Sequence, residues 1–239
     1  MTDPTIVLVH GAFADGSGWR GVSDALAAED LTLVAPANPL RGLAGGDGEY
    51  LKGIVERIDG PVLLVGHSYG GCVISAAGTA DNVVGLVYIA GFAPDEGESL
   101  QTLQADFPAP PFLQYIVQSP LPDGGAEFSL SPDGFHATFC ADVPADDAAF
   151  MARSQRPLAA VALTEAAPAP AWRSRPSWGV LGTADGVIHP DVHRFSYERA
   201  GATVTEVDGA SHVVMISHPE VVAEVVLTAA RASRAAQPA

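Results

Sequence analysis

Basic residues are scarce in this chain. Lysine and arginine together number 12 against 28 acidic residues, a formal net charge of -16, and Lys52 is the only lysine. So acidic a surface repels phosphate backbones and anionic lipid, which disfavours nucleic-acid and membrane-surface partners. Cysteine is also rare. Cys72 and Cys140 stand alone, neither in a Cys-x-x-Cys pair, so no metal or redox motif is expected, and no cofactor. No apolar run is long enough for a membrane span, and residues 1–10 lack a basic segment followed by a long apolar one. A cytoplasmic location is the expectation. Charged residues reach only 17% against 48% hydrophobic, which excludes a disordered chain. The 239 residues suffice for one large α/β domain.

What the chain does have is an organising stretch, Gly66-His67-Ser68-Tyr69-Gly70. Before it, Pro61-Val62-Leu63-Leu64-Val65 reads as a buried parallel strand. After it, residues 71–77 are small and apolar and read as a helix. Gly-x-Ser-x-Gly between strand and helix is the setting in which a strained turn holds a serine hydroxyl above a sheet edge. The following helix aims its positive end at negative charge forming there.

The remaining runs give a strand–helix rhythm. Residues 5–9 form a first strand ending in His10-Gly11-Ala12-Phe13. His10 reads as a structural histidine bonded to the loop backbone. A helix over 17–29 buries Trp19, Val22 and Leu26. A second strand spans 31–35. Arg41, in the next loop, reads as a solvated surface residue. Asp47 is placed to cap a helix running to residue 58. A strand over 82–90 follows the elbow helix.

The alternation stops from about 95 to 176, where proline and aromatics concentrate. Two Pro-Asp-Gly segments, 121–124 and 131–134, read as turns, and 146–154 as a helix. Such an insert suits a cap over a substrate pocket. Strands resume at 177–182 and 202–207, and a last helix begins at Pro219. The tail from 231 reads as frayed. The expected architecture is a doubly wound, mostly parallel α/β sheet. Its core comprises 1–94 and 177–239, and the cap, 95–176, is inserted between the strand ending near Ala90 and the strand starting near Ser177.

A neutral serine needs a base oriented by a third group. In the doubly wound arrangement nucleophile, acid and histidine run in that chain order, each after a strand at the same sheet edge. Ser68, Asp185 and His212 fit it: Asp185 follows the strand at 177–182, and His212 follows the last strand. Asp95 is the rival acid. His67 lies inside the elbow and His136 in the cap, while His189, His193 and His218 read as surface or structural. The oxyanion donors expected are the backbone N–H groups of Tyr69 and Ala12, with Phe13 as the alternative to Ala12. Phe13, Phe112, Tyr115 and Phe139 are the aromatics expected to meet substrate.

The segments Leu8-Val9-His10-Gly11-Ala12, Gly66-His67-Ser68-Tyr69-Gly70-Gly71, Gly182-Thr183-Ala184-Asp185 and Gly209-Ala210-Ser211-His212 resemble the α/β-hydrolase superfamily. The resemblance is to its compact, cofactor-free branch of bacterial esterases, plant methylesterases and plant hydroxynitrile lyases. It implies hydrolysis of a small or medium carboxylic ester through an acyl-enzyme on Ser68, without metal, on a small-molecule ester substrate. The lyases of that branch use a pocket lysine and a threonine after the oxyanion-loop histidine. Here Gly11 stands at that second position and Lys52 reads as surface. A lyase and a small-molecule-binding protein are the alternatives. The oligomeric state stays open, a homodimer included.

Overall fold

The computed structural model describes residues 2–44 and 46–235. Six strands form one sheet: β1 (Thr5–Val9), β2 (Leu33–Val34), β3 (Val62–His67), β4 (Val83–Ile89), then β8 (Ser177–Gly182) and β9 (Thr203–Val207). Their order is β2-β1-β3-β4-β8-β9, and every pairing is parallel. All six residues of β3 and of β8 are buried, as strands covered on both faces require. The chain steps outward from β1 to β2, returns to β3, then proceeds the other way. The connections therefore diverge between β1 and β3, where sheets of this kind open a crevice at the carboxyl ends of the strands.

Helices α1 (Arg20–Ala27), α2 (Asp47–Val55) and α3 (Gly70–Ala77) connect the first strands; α7 (Pro190–Arg199), α8 (Val214–Ser217) and α9 (Pro219–Ala235) belong to the last part of the chain. α1 packs on α9 and α2 on α3, and α3 and α9 lie on the sheet. Trp19 is core, 1% exposed, as expected.

Between β4 and β8 lies an inserted segment, the one expected to form the cap. It contains α4 (Leu100–Gln104), a hairpin of β5 (Ile116–Pro120) and β6 (Ala126–Leu130), α5 (Pro132–Phe139), α6 (Ala145–Ser154) and the short β7 (Leu158–Ala159), which pairs antiparallel with β6. The two Pro-Asp-Gly segments part company here. Residues 121–124 turn the hairpin, with Gly124 at φ 86°. Residues 131–134 start α5 instead. Ser131 caps it by accepting from Asp133 N–H, and Pro132 occupies the first turn; Leu121, at the equivalent place in the hairpin, has no oxygen to do this.

Several local expectations shift. The helix expected over 17–29 divides into a 3-10 turn, Gly16–Trp19, and α1. β2 keeps two residues of the expected five. α9 continues through Ala235, so residues 231–235 are helical rather than frayed; the rest of the expected frayed tail, 236–239, lies outside the described residues. Arg41 is not simply solvated: its guanidinium meets Glu127 of the cap at 3.0 Å. Phe13 N–H donates to Arg156 O and Ala159 N–H to Leu40 O, two further ties from cap to core. Both cysteines are free and buried. Among the described residues no helix is long and apolar enough to cross a membrane.

Candidate active site

Ser68 ends the elbow with φ 53°, a left-handed backbone that a side chain tolerates only where its surroundings enforce it. The enforcement is close packing. A Cβ on Gly70 would sit 2.5 Å from Val9 O, so α3 can start against β1 only with glycine there. From the other side the β1 loop arrives at Gly11, where a Cβ would sit 2.5 Å from Ser68 Cβ and 3.2 Å from Ser68 Oγ. Ser68 is 5% exposed, and that exposure faces a cavity.

Tyr69, the next residue, is buried, and its hydroxyl donates to Asp47 at 2.9 Å. Asp47 therefore is not the helix cap that its position suggested; Gly46 stands at the N-cap of α2. The Asp47 carboxylate turns back to accept from the backbone N–H groups of Arg41 and Gly42, and it is wholly buried. Burial, and then the Asp47 charge, push the Tyr69 phenol far up, so it stays a donor. Among the described residues, neither Tyr69 N–H nor Ala12 N–H meets an acceptor. Phe13 N–H is committed to Arg156 O, which removes the alternative donor.

Asp185 and His212 come together. His212 Nδ1 lies 2.8 Å from Asp185 Oδ2, and both side chains are fully buried. The second oxygen, Oδ1, accepts from Val187 N–H at 2.8 Å and Ile188 N–H at 2.9 Å. Burial would raise this carboxyl; the His212 charge and the hydrogen bonds from both neighbouring histidines outweigh it and hold Asp185 well below the usual carboxylate range. His212 Nε2 is buried and without a partner among the described residues. His67 Nε2 donates to His212 O at 3.0 Å, tying the histidine loop to the residue before Ser68, and the two rings lie 4.7 Å apart. Burial first, and His212 second, pull His67 well down, so it is neutral.

The rival acid is placed elsewhere. Asp95 pairs with Arg173 at 2.6 Å on the surface of the cap. His10 is the loop-bonding histidine expected of it. Its Nε2 accepts from Asn38 N–H, so Nδ1 carries the proton and donates to Gly11 O at 2.9 Å.

His193, expected to be a surface or structural residue, lies at the site. It is fully buried, and its Nε2 is 3.2 Å from the same Asp185 Oδ2 that His212 uses. The signal that could have found it is the spacing in the first turn of α7. Val192, His193, Ser196 and Tyr197 form a buried stripe, and the ring beneath the helix start points back at the loop that precedes it.

The cavity measures about 900 Å³. Phe13, Phe112 and Phe107 line it with Ser68 and Tyr69, and most of the remaining lining comes from the cap. Two expected substrate aromatics are placed elsewhere. Tyr115 is occupied by packing on α5, where a Cβ on Gly134 would fall 2.0 Å from its Cγ. Phe139 is fully buried behind the site, 5.2 Å from the His212 ring and 6.3 Å from Phe13. Among the described residues, no charged side chain lines the cavity.

Comparison with known proteins agrees with this fold. The chain is 34% identical over 112 residues to the carbendazim hydrolyzing esterase of Nocardioides sp. (strain SG-4G), a match covering 41% of this chain and 46% of that protein. It is 33% identical over 116 residues to the pyrethroid hydrolase of Sphingobium wenxiniae, covering 43% of this chain and 41% of the relative. The chain thus spans less than half the length of these curated relatives. The crystal structure of polyneuridine aldehyde esterase shares the fold, with a TM-score of 0.81 at 20% identity over 95% of this chain and 99% of that one. The family model described as the alpha/beta hydrolase family matches residues 6–225, from the first strand into the last helix. An elbow between β3 and α3, a parallel sheet with a cap after its fourth strand and that nearly end-to-end match make this chain a member of the alpha/beta hydrolase family.

Proposed function

We propose that this chain is a serine hydrolase of neutral, largely apolar carboxylic esters, with Ser68 as nucleophile, His212 as base and Asp185 as the acid that orients it. The carrying observation is the His212 ring. Its Nδ1 lies on Asp185 at 2.8 Å while its other nitrogen is buried and, among the described residues, unpaired. A nitrogen kept in that state is suited to take a proton from a serine hydroxyl.

In the reaction the Ser68 Oγ–H proton passes to His212 Nε2 as Oγ bonds the ester carbonyl carbon. The carbonyl oxygen becomes an oxyanion between Ala12 N–H and Tyr69 N–H, each such donor contributing about 3 kcal/mol. Collapse breaks the bond to the alcohol oxygen, which leaves with the proton from His212. Water then attacks the acyl-enzyme, giving its proton to His212, and the acid departs as Ser68 recovers its hydrogen. Asp185 stays ionised throughout and stabilises the imidazolium.

The substrate class follows from the lining. Of its polar side chains, the Tyr69 hydroxyl goes to Asp47, the Gln104 amide to Leu100 O and the Thr164 hydroxyl to Val161 O. Ser68 and Gln101 remain. A charged ester would leave water for a wall with nothing to replace it, whereas an apolar one gains by burial. The volume is at the upper end for drug-sized ligands. The cap, 95–176, supplies most of this wall and so acts as the specificity element. The names of the two curated relatives, each an ester- or pyrethroid-hydrolysing enzyme, accord with this reading. The lyase alternative gains no support, since no basic side chain among the described residues lines the cavity and position 11 is glycine.

The test is hydrolysis of p-nitrophenyl esters of increasing acyl length, beside a carboxylate-bearing ester of equal size, by the wild type and Ser68→Ala. We expect turnover of the neutral series, poor turnover of the anionic one, and a loss of at least about 10³-fold in Ser68→Ala. Turnover that survives in Ser68→Ala refutes the serine mechanism.

A further inference from the structure

We propose that His193 is a positioning residue that shares the acid of the site, its Nε2–H competing with His212 Nδ1–H for one oxygen of Asp185 and thereby setting how strongly Asp185 supports His212. The inference rests on the triad reading above and adds a fourth member to it.

The geometry is a saturated carboxylate. Asp185 Oδ1 takes two backbone N–H groups, from Val187 and Ile188, and Oδ2 takes two imidazole nitrogens, His212 at 2.8 Å and His193 at 3.2 Å. A carboxylate has about four lone-pair sites, so none is left for water or substrate. The two ring donors are not equivalent. His212 must gain and lose a proton on its far nitrogen each turnover, and Asp185 strengthens its hold when the ring is charged. A second donor on the same oxygen draws off part of that charge in every step. It also stops the carboxylate rotating about its Cβ–Cγ bond, since each oxygen is held from two sides.

The groups around this exchange are mostly neutral, with the Asp142 carboxylate as a further charge. Around Asp185 and the two rings stand neutral His67 from the end of β3, and Tyr197 from α7, whose ring is 5.5 Å from His193 and whose hydroxyl bonds the Gly91 backbone. Tyr88 of β4 lies behind Tyr197 at 5.8 Å. From the cap come the apolar ring of Phe139, and Asp142, whose carboxylate accepts from Ser211 N–H beside His212 and has His218 Nδ1 at 3.9 Å. His193 Nδ1 is buried without a partner among the described residues. The Nε2–H on Asp185 is therefore the only polar bond that this side chain makes there.

The experiment follows kcat/KM for a neutral p-nitrophenyl ester from pH 5 to 9 in the wild type, His193→Gln and His193→Leu. Glutamine can present an N–H where Nε2 stands; leucine removes the donor at similar volume. In His193→Leu, Asp185 gives its full charge to His212, so the acidic limb of the profile moves to higher pH by about 0.5–1 unit. In His193→Gln it superposes on the wild type. A leucine limb at the wild-type position, or a glutamine limb displaced as far as the leucine one, overturns the proposal. A merely structural role would lower the whole profile without moving its limb. Should the leucine variant fail to fold, nitrogen NMR of the wild-type histidines decides. The proposal requires a hydrogen on Nε2 of His193, and a ring protonated only at Nδ1 refutes it. A wild type whose turnover does not depend on Ser68 would refute the underlying triad instead, a result separable from these.

Discussion

Gly11 and Ser68 approach so closely that a methyl group on Gly11 would stand 2.5 Å from the Ser68 Cβ and 2.8 Å from the His67 carbonyl oxygen. The loop after β1 and the elbow after β3 are thus one packed unit. Gly11→Ala must push them apart. We expect a stability loss of about 1–3 kcal/mol, the usual cost of overpacking, and a fall in kcat of about 100-fold as Ser68 and the Ala12 N–H lose register. Thermal melts and ester kinetics check both. A variant with unchanged melting and unchanged kcat would contradict the contact.

Asp185→Asn leaves one oxygen where two are needed. Whichever way the amide turns, its NH₂ faces either the Val187 and Ile188 N–H groups or the two imidazole donors. A fall in kcat of about 10⁴-fold is expected, by loss of the His212 tautomer. The stability effect has a definite sign in pH. Asp185 is held below its unfolded value, so its contribution is full above about pH 4 and fades as the pH falls from there. The gap between wild type and variant in urea midpoint should therefore be wide at pH 7 and narrow towards pH 3.

Tyr69→Phe removes the hydroxyl donor from the buried Asp47 carboxylate, which keeps only the backbone N–H groups of Arg41 and Gly42. A hydrogen bond to a charged group contributes about 1.5–3 kcal/mol, and a domain of this size loses about 2–4 °C in Tm per kcal/mol. We expect a drop of about 3–12 °C by calorimetry. The backbone donor at Tyr69 survives, so kcat should fall by no more than about tenfold. A loss of several hundredfold would mean that the hydroxyl itself meets substrate.

His67→Gln tests the buried neutral histidine. Its folded-state pKa is depressed, so below about pH 6.5 the unfolded chain binds a proton that the folded one refuses, and stability falls with falling pH. Glutamine keeps a donor for His212 O and does not titrate. Between pH 8 and 5.5 the wild type should lose about 1.4 kcal/mol more than the variant, read from urea unfolding at each pH. Parallel pH dependence in the two proteins would refute the assignment.

The sequence determined what is local. Apolar runs of strand length, the glycines at 66 and 70 around Ser68 and the placing of Ser68, Asp185 and His212 after β3, β8 and β9 were readable because each is a statement about neighbours in the chain or about which strand a loop follows. Partnership across the fold was not readable. The expected helix cap Asp47 became the buried acceptor for Tyr69, because the loop at Arg41 and Gly42 folds back on it. Two identical Pro-Asp-Gly segments became a hairpin turn and a helix start, divided by one capping oxygen at Ser131. Phe139 went behind His212 and Tyr115 onto Gly134, since the cap's own packing decides which aromatic faces the cavity. His193 carries no motif at all. Only when β8 and β9 pair side by side do the loops after them converge, and only then does the first turn of α7 carry a second imidazole onto the carboxylate that His212 uses. A side chain's chemistry is fixed by its type, but its partner is fixed by packing of elements far apart in the chain, and that was decided by the tertiary structure alone.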